Sequence, residues 1–127
     1  MKKKCIFYTL NIFISLVIGL IIYLFCYRTT YINSVFTEVF GFSLPYIYFD
    51  NAFHRFITCW ACDMLWAYSL TFALYLCFQV FKHPLIITSV TSSVFAIIIE
   101  LLQINNIING TFDILDIITE LLAIALA

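Results

Sequence analysis

Four carboxylates surround one short connection near the end of this chain: Glu100, Asp113, Asp116 and Glu120, within the run ELLQINNIINGTFDILDIITE. Asp113, Asp116 and Glu120 stand at i, i+3 and i+7, the spacing of one helix face. Glu100 and Gln103 stand at i and i+3 on the segment before it. The flanking runs are apolar enough for a bilayer, where an ionised side chain at a helix centre costs about 2.5 to 3.5 kcal/mol on insertion scales. Acids kept in such surroundings are directed at a partner, a cavity or a substrate, and the spacing describes a polar binding site. For Asp113 a plainer role competes, as a first-turn acid that complements the helix dipole by about 0.3 to 1 kcal/mol. Glu120, about 10 Å down the helix, is too deep for that.

The elements that position these acids follow from hydropathy. Apolar residues make up 65% of the chain and charged residues 10%, against roughly 45 to 50% and about 25% in soluble domains. This is a membrane composition. The formal charge of -1 supplies no basic stripe for nucleic acid. We expect one integral membrane domain over 1–127, an all-α four-helix transmembrane bundle with spans at about 6–27, 60–81, 85–104 and 112–127. The first three spans have about 20 residues each, enough for a bilayer core of about 30 Å. The fourth reaches about 24 Å and stops short. The first apolar run exceeds a signal-peptide core and no small-residue cleavage site follows, so it reads as a retained helix. Asn109-Gly110 marks a tight turn and Thr111 an N-cap, which makes the last two helices antiparallel neighbours.

Lys2, Lys3, Lys4 and Lys82 fall on one side of these spans, Arg28 and Arg55 on the other. That bias puts both termini in the cytoplasm and the protein in the cytoplasmic (inner or plasma) membrane. All seven acids, including Glu38, Asp50 and Asp63, then lie in or near the outer half. The loop 28–59 is rich in Tyr and Phe, suited to the headgroup region. Two readings stand for it: an aromatic anchor on lipid, or a lid over the helix ends. The 41–45 stretch, from glycine to proline, divides it in two.

These residues resemble the VanZ-like membrane proteins, a family of small multi-helix proteins named for one associated with teicoplanin resistance. The likeness rests on Glu100-Leu-Leu-Gln103, the short turn with Gly110, and Phe112-Asp113-Ile-Leu-Asp116. Upstream, Asp63-Met-Leu-Trp66-Ala-Tyr68 is similar to the family's aspartate at the start of its second helix. The likeness covers about 60 residues, 63–120. The chain departs from the family pattern at Asn109-Gly110-Thr111, where an arginine is common, and at Ala67, where a histidine is frequent. Glu120 and alanines replace the asparagine and glycines of the last helix. The resemblance implies an envelope role, with lipid-linked envelope precursors or glycopeptides as partners and no cofactor, rather than a particular reaction. The candidate polar cluster is Asp63, Glu100, Gln103, Asp113, Asp116 and Glu120, with His54 and Arg55 as cationic partners from the loop.

A second chemistry is written in Cys59-Trp60-Ala61-Cys62, a C-x-x-C at the outer end of the second span, where disulfides persist. Membrane thiol oxidoreductases of the DsbB and vitamin K epoxide reductase type carry such a pair, with a second relay pair outside. Cys26 falls near the same face, Cys5 and Cys77 near the opposite one. A structural disulfide and buried packing thiols fit the spacing too. His54 and nearby acids suggest cation binding in principle, yet the chain has no H-E-x-x-H or similar spacing, and no metal is expected. No G-x-S-x-G marks a serine nucleophile. A noncatalytic accessory subunit, its acids binding helices together, is the remaining alternative.

Overall fold

The computed structural model describes residues 2–27, 30–48, 50–105, 107 and 113–127, and among these every regular element is helical. In order they are α1 (Lys2–Cys26), α2 (Tyr31–Phe40), α3 (Ala52–Phe56), a π-helical turn (Ile57–Ala61), α4 (Cys62–Phe78), α5 (Pro84–Ile104) and α6 (Ile114–Leu126). The α3 helix, the π turn and α4 run on as one rod, Ala52–Phe78.

Three helices are long and apolar enough to cross a membrane: Lys4–Cys26, Ala52–Phe78 and Pro84–Ile104. The expected bundle had four such spans. The fourth, α6, has 13 residues and rises about 20 Å, well short of a bilayer core of about 30 Å. The long rod also starts earlier than hydropathy suggests. Asn51 caps it, its side-chain oxygen accepting from the His54 amide at 2.9 Å, so Phe53, His54 and Arg55 are helical rather than loop. Pro84 opens α5 at its first turn, where its missing N–H costs nothing.

Packing is inverted relative to a soluble protein. Leucine, isoleucine, valine and phenylalanine crowd the exposed surface, while the buried set is rich in small and polar residues: Ser15, Ser69, Thr71, Thr88, Ser92, Ala67, Ala96 and Ala123. Lipid gives no hydrophobic drive between helices, so close backbone approach over small residues and interhelical hydrogen bonds hold them instead. The α4 helix is central and packs on α1, α5 and α6, and α5 packs on α6. Tyr68 of α4 donates its hydroxyl to Asn11 Oδ1 of α1 at 3.2 Å.

The aromatic segment is tied to the end of α1. A helix leaves its last carbonyls without intrahelical donors. Here Asn33 Nδ2 donates to Leu24 and Tyr27 carbonyls at 3.2 Å each, and the Ile47 amide donates to the Phe25 carbonyl at 2.9 Å. The segment contains α2, which ends at Gly41 in the left-handed region, φ 73°. The Phe36, Phe40 and Phe42 rings pack together beside this break.

Candidate functional site

Three helices present matching stripes along their shared seam. On α5, Thr88, Ser92, Ala96 and Glu100 recur every fourth residue, and all are buried. On α4 the same spacing runs through Asp63, Ala67 and Thr71. On α6 the buried positions are Glu120, Ala123 and Ile124. The stripes stack into layers. The alanine layer is Ala67, Ala96 and Ala123, a single packed cluster edged by Met64 and Tyr68. On one side lies a hydroxyl layer, in which Thr71 and Ser92 are hydrogen-bonded across α4 and α5 at 3.2 Å and Thr71 also donates to the Ala67 carbonyl at 2.8 Å. On the other side, toward the aromatic segment, lies a carboxylate layer.

That layer brings together Asp63, Glu100, Asp116 and Glu120 from three helices. Glu100 lies within electrostatic reach of Asp116, Asp63 and Asp113, and Glu120 within reach of Asp63, Glu100 and Asp116. Among the described residues, the charged groups acting on Glu100, Asp116 and Glu120 are all carboxylates. Glu100 and Glu120 are each 3% exposed, and each has one buried oxygen, Oε2, with no hydrogen-bond partner among the described residues. Burying a carboxylate oxygen without a donor is among the costlier arrangements a fold can hold. Thr88, at the far end of the α5 stripe, also has an unpartnered Oγ1 and borders a cavity of about 310 Å³. A neutral hydroxyl costs far less in that position than an ionised carboxylate.

The remaining candidates are placed as follows. Asp113 is an exposed N-cap, with extended backbone, accepting from the Leu115 amide at 3.0 Å. It precedes the helix rather than sharing the buried face with Asp116 and Glu120. Thr111, expected as the cap, and the Asn109-Gly110 turn lie outside the described residues. Gln103 is half-buried on the turn beyond Glu100. His54 is buried with its ring edge-on to Tyr46 and Tyr48. Arg55 is exposed and lines a separate pocket of about 260 Å³ with Tyr48, Asp50 and Asn51. Among the described residues, no three His, Cys, Asp or Glu side chains are grouped to hold a metal ion.

A groove of about 330 Å³ runs between α1, α2 and α4, walled mainly by Leu16, Leu20, Leu65 and Trp66, with Ser15 and Asp63 as polar points. Asp63 belongs to both the groove and the carboxylate layer. Cys62 lines the same groove, its Sγ 3.8 Å from the Gly19 carbonyl, with Cys26 of α1 within electrostatic reach. Cys59 sits in the π turn and is exposed, and all five cysteines are free thiols. Nearby, Tyr27 donates its hydroxyl to the Thr58 carbonyl.

The alanine and hydroxyl layers are not marked by charge or hydropathy in the sequence. The signal was there, in the every-fourth-residue spacing of small residues from Thr88 to Glu100. Compared with known proteins, the chain matches no family model, no curated protein and no solved structure.

Proposed function

We propose that this chain is a multi-pass protein of the cytoplasmic membrane that binds a lipid-linked envelope component in its carboxylate layer. In this reading the lysine-bearing end of α1 is cytoplasmic and the carboxylate layer lies beneath the outer face, as the Lys and Arg bias favours. The short α6 enters the membrane from that face as the fourth helix of the bundle, and the aromatic segment lies along the outer interface. The observation that carries the reading is the pair of buried, unpartnered carboxylate oxygens on Glu100 and Glu120. Helix-binding acids would spend their acceptors on neighbouring donors, whereas a binding site keeps them for a ligand. The groove that reaches Asp63 from the lipid side favours a lipid-borne ligand over a soluble glycopeptide. The resemblance to VanZ-like proteins is consistent with this role and adds no reaction to it.

Extraction of the protein from native membranes, followed by mass analysis of what remains bound, tests the proposal. An envelope lipid or lipid-linked precursor accompanies the wild type and is lost from a Glu100→Gln variant of equal yield. The same lipids on both proteins would leave the acids as an accessory subunit's helix contacts.

One observation favours a second reading, thiol oxidoreduction: Cys26 comes alongside Cys62, next to the exposed Cys59. Exchange there would pass through a mixed disulfide with a partner. A Cys62→Ser variant that keeps Cys59 and traps no mixed disulfide, beside a Cys59→Ser, Cys62→Ser double variant that keeps its bound envelope component, removes this reading.

A further inference from the structure

We propose that the cavity at the lysine-bearing end of the helix seam binds an uncharged lipid alcohol, its hydroxyl on Thr88 and its apolar body against Tyr8, Phe72 and Tyr75. The site lies at the opposite end of the α5 stripe from the carboxylate layer and does not depend on it.

The cavity forms where α1, α4, α5 and α6 meet, and its volume of about 310 Å³ falls in the range of small-molecule sites, about 300 to 1,000 Å³. Its apolar wall is aromatic. Tyr8 of α1 stacks on Phe72 of α4 with ring centroids 5.6 Å apart and meets Tyr75 edge-on at 5.2 Å.

The polar point in this wall is Thr88. A helical serine or threonine often turns its hydroxyl back on a carbonyl one turn earlier. Two other wall residues do so: Ser89 donates to the Leu85 carbonyl at 3.0 Å, and Thr71 to the Ala67 carbonyl at 2.8 Å. Thr88 is 2% exposed, and its Oγ1 has no partner among the described residues. Threonine has two accessible χ1 rotamers in a helix, so this hydroxyl can be turned to an occupant of the cavity. An alcohol meets it in either direction, donating to Oγ1 or accepting from it.

Charge sets the class of the occupant. Among the described residues, no Asp, Glu, Lys, Arg or His side chain lines the cavity, so nothing there compensates an ionised head in apolar surroundings. Lys4 lines a neighbouring pocket, which shares Tyr8 and Tyr75 but not Thr88. An anionic amphiphile anchored on Lys4 would lay its chain against Thr88 and leave the hydroxyl unmatched.

The test uses the purified full chain in phosphatidylcholine vesicles, labelled with dodecanol that carries a mid-chain diazirine and mapped by peptide mass spectrometry. Unlabelled dodecanol, dodecane and dodecanoate compete at equal mole fraction in the membrane. Labels are expected on the cavity wall, with dodecanol displacing the probe about fivefold better than dodecane, the scale of one hydrogen bond. Thr88→Val is expected to abolish that preference at unchanged unfolding temperature. Ala125→Phe, which fills the cavity from α6, is expected to remove the labelling altogether. Equal displacement by dodecane on the wild type, or a preference that survives Thr88→Val, overturns the hydroxyl recognition. Stronger displacement by dodecanoate, lost in Lys4→Gln, overturns the uncharged class and makes the occupant an anionic amphiphile. Labels spread over the lipid-facing surfaces and indifferent to Ala125→Phe overturn the site itself. None of these outcomes bears on the carboxylate layer.

Discussion

The hydroxyl and carboxylate layers flank the same three alanines on the same helices, yet they handle their polar atoms in opposite ways. Thr71 and Ser92 bond to each other, and Thr71 also turns its hydroxyl back on its own helix at Ala67. This is how a membrane protein uses polar groups as glue: small, neutral and mutually satisfied. In the carboxylate layer the groups acting on Glu100 and Glu120 are all acids among the described residues, where each also leaves an oxygen unmatched. Ionised acids brought together repel and are costly to desolvate, so their charged forms oppose the packing that the alanines provide. The contrast separates the layer that holds the bundle together from the layer we propose as a binding site.

Breaking the shared foundation gives the largest effect. Ala96 is fully buried between the two layers, so Ala96→Leu forces α4, α5 and α6 apart. Overpacking of this kind costs about 1 to 3 kcal/mol. We expect a clear fall in thermal unfolding temperature in detergent, together with loss of bound ligand, because both layers lose their register. Normal stability in this variant would mean that the alanines do not set the helix spacing.

Thr71→Val acts on the hydroxyl layer alone. Interhelical hydrogen bonds in membranes average about 0.6 kcal/mol, so a small stability loss is expected, with ligand retention unchanged. Retention falling more than stability would show that the hydroxyl layer belongs to the site.

Arg55→Ala should change least. Arg55 lies on a separate pocket with Asp50 and Tyr48, and its loss is expected to leave both unfolding temperature and lipid retention unaltered. A drop in retention would make it the cationic partner that the sequence suggested.

How much of this was legible beforehand depended on the kind of signal. Acids in apolar runs are conspicuous, and Asp63, Glu100, Asp116 and Glu120 lie within electrostatic reach of one another across three helices. Asp113 was placed on the same helix face because periodicity counts residues without knowing where the helix starts. It is the cap, one residue outside. The rod's start at Ala52 was hidden by composition, since Phe53, His54 and Arg55 read as interfacial loop while the capping Asn51 is a single, weak mark. The alanine and hydroxyl layers were missed for a different reason. In a chain this apolar, hydropathy draws the eye to the large residues that face lipid, and the small ones that make contact are overlooked.

The central claim is that the carboxylate layer is kept for a ligand at some cost to the fold. Thermal unfolding of the lipid-stripped Glu100→Gln, Glu120→Gln double variant against the equally treated wild type tests it most directly. Both side chains keep their shape while like-charge repulsion between them is removed. An unfolding temperature equal to or above that of the wild type is expected. A fall of several degrees, the scale of about 1 kcal/mol in a chain of this size, would show the acids to be helix contacts and contradict it.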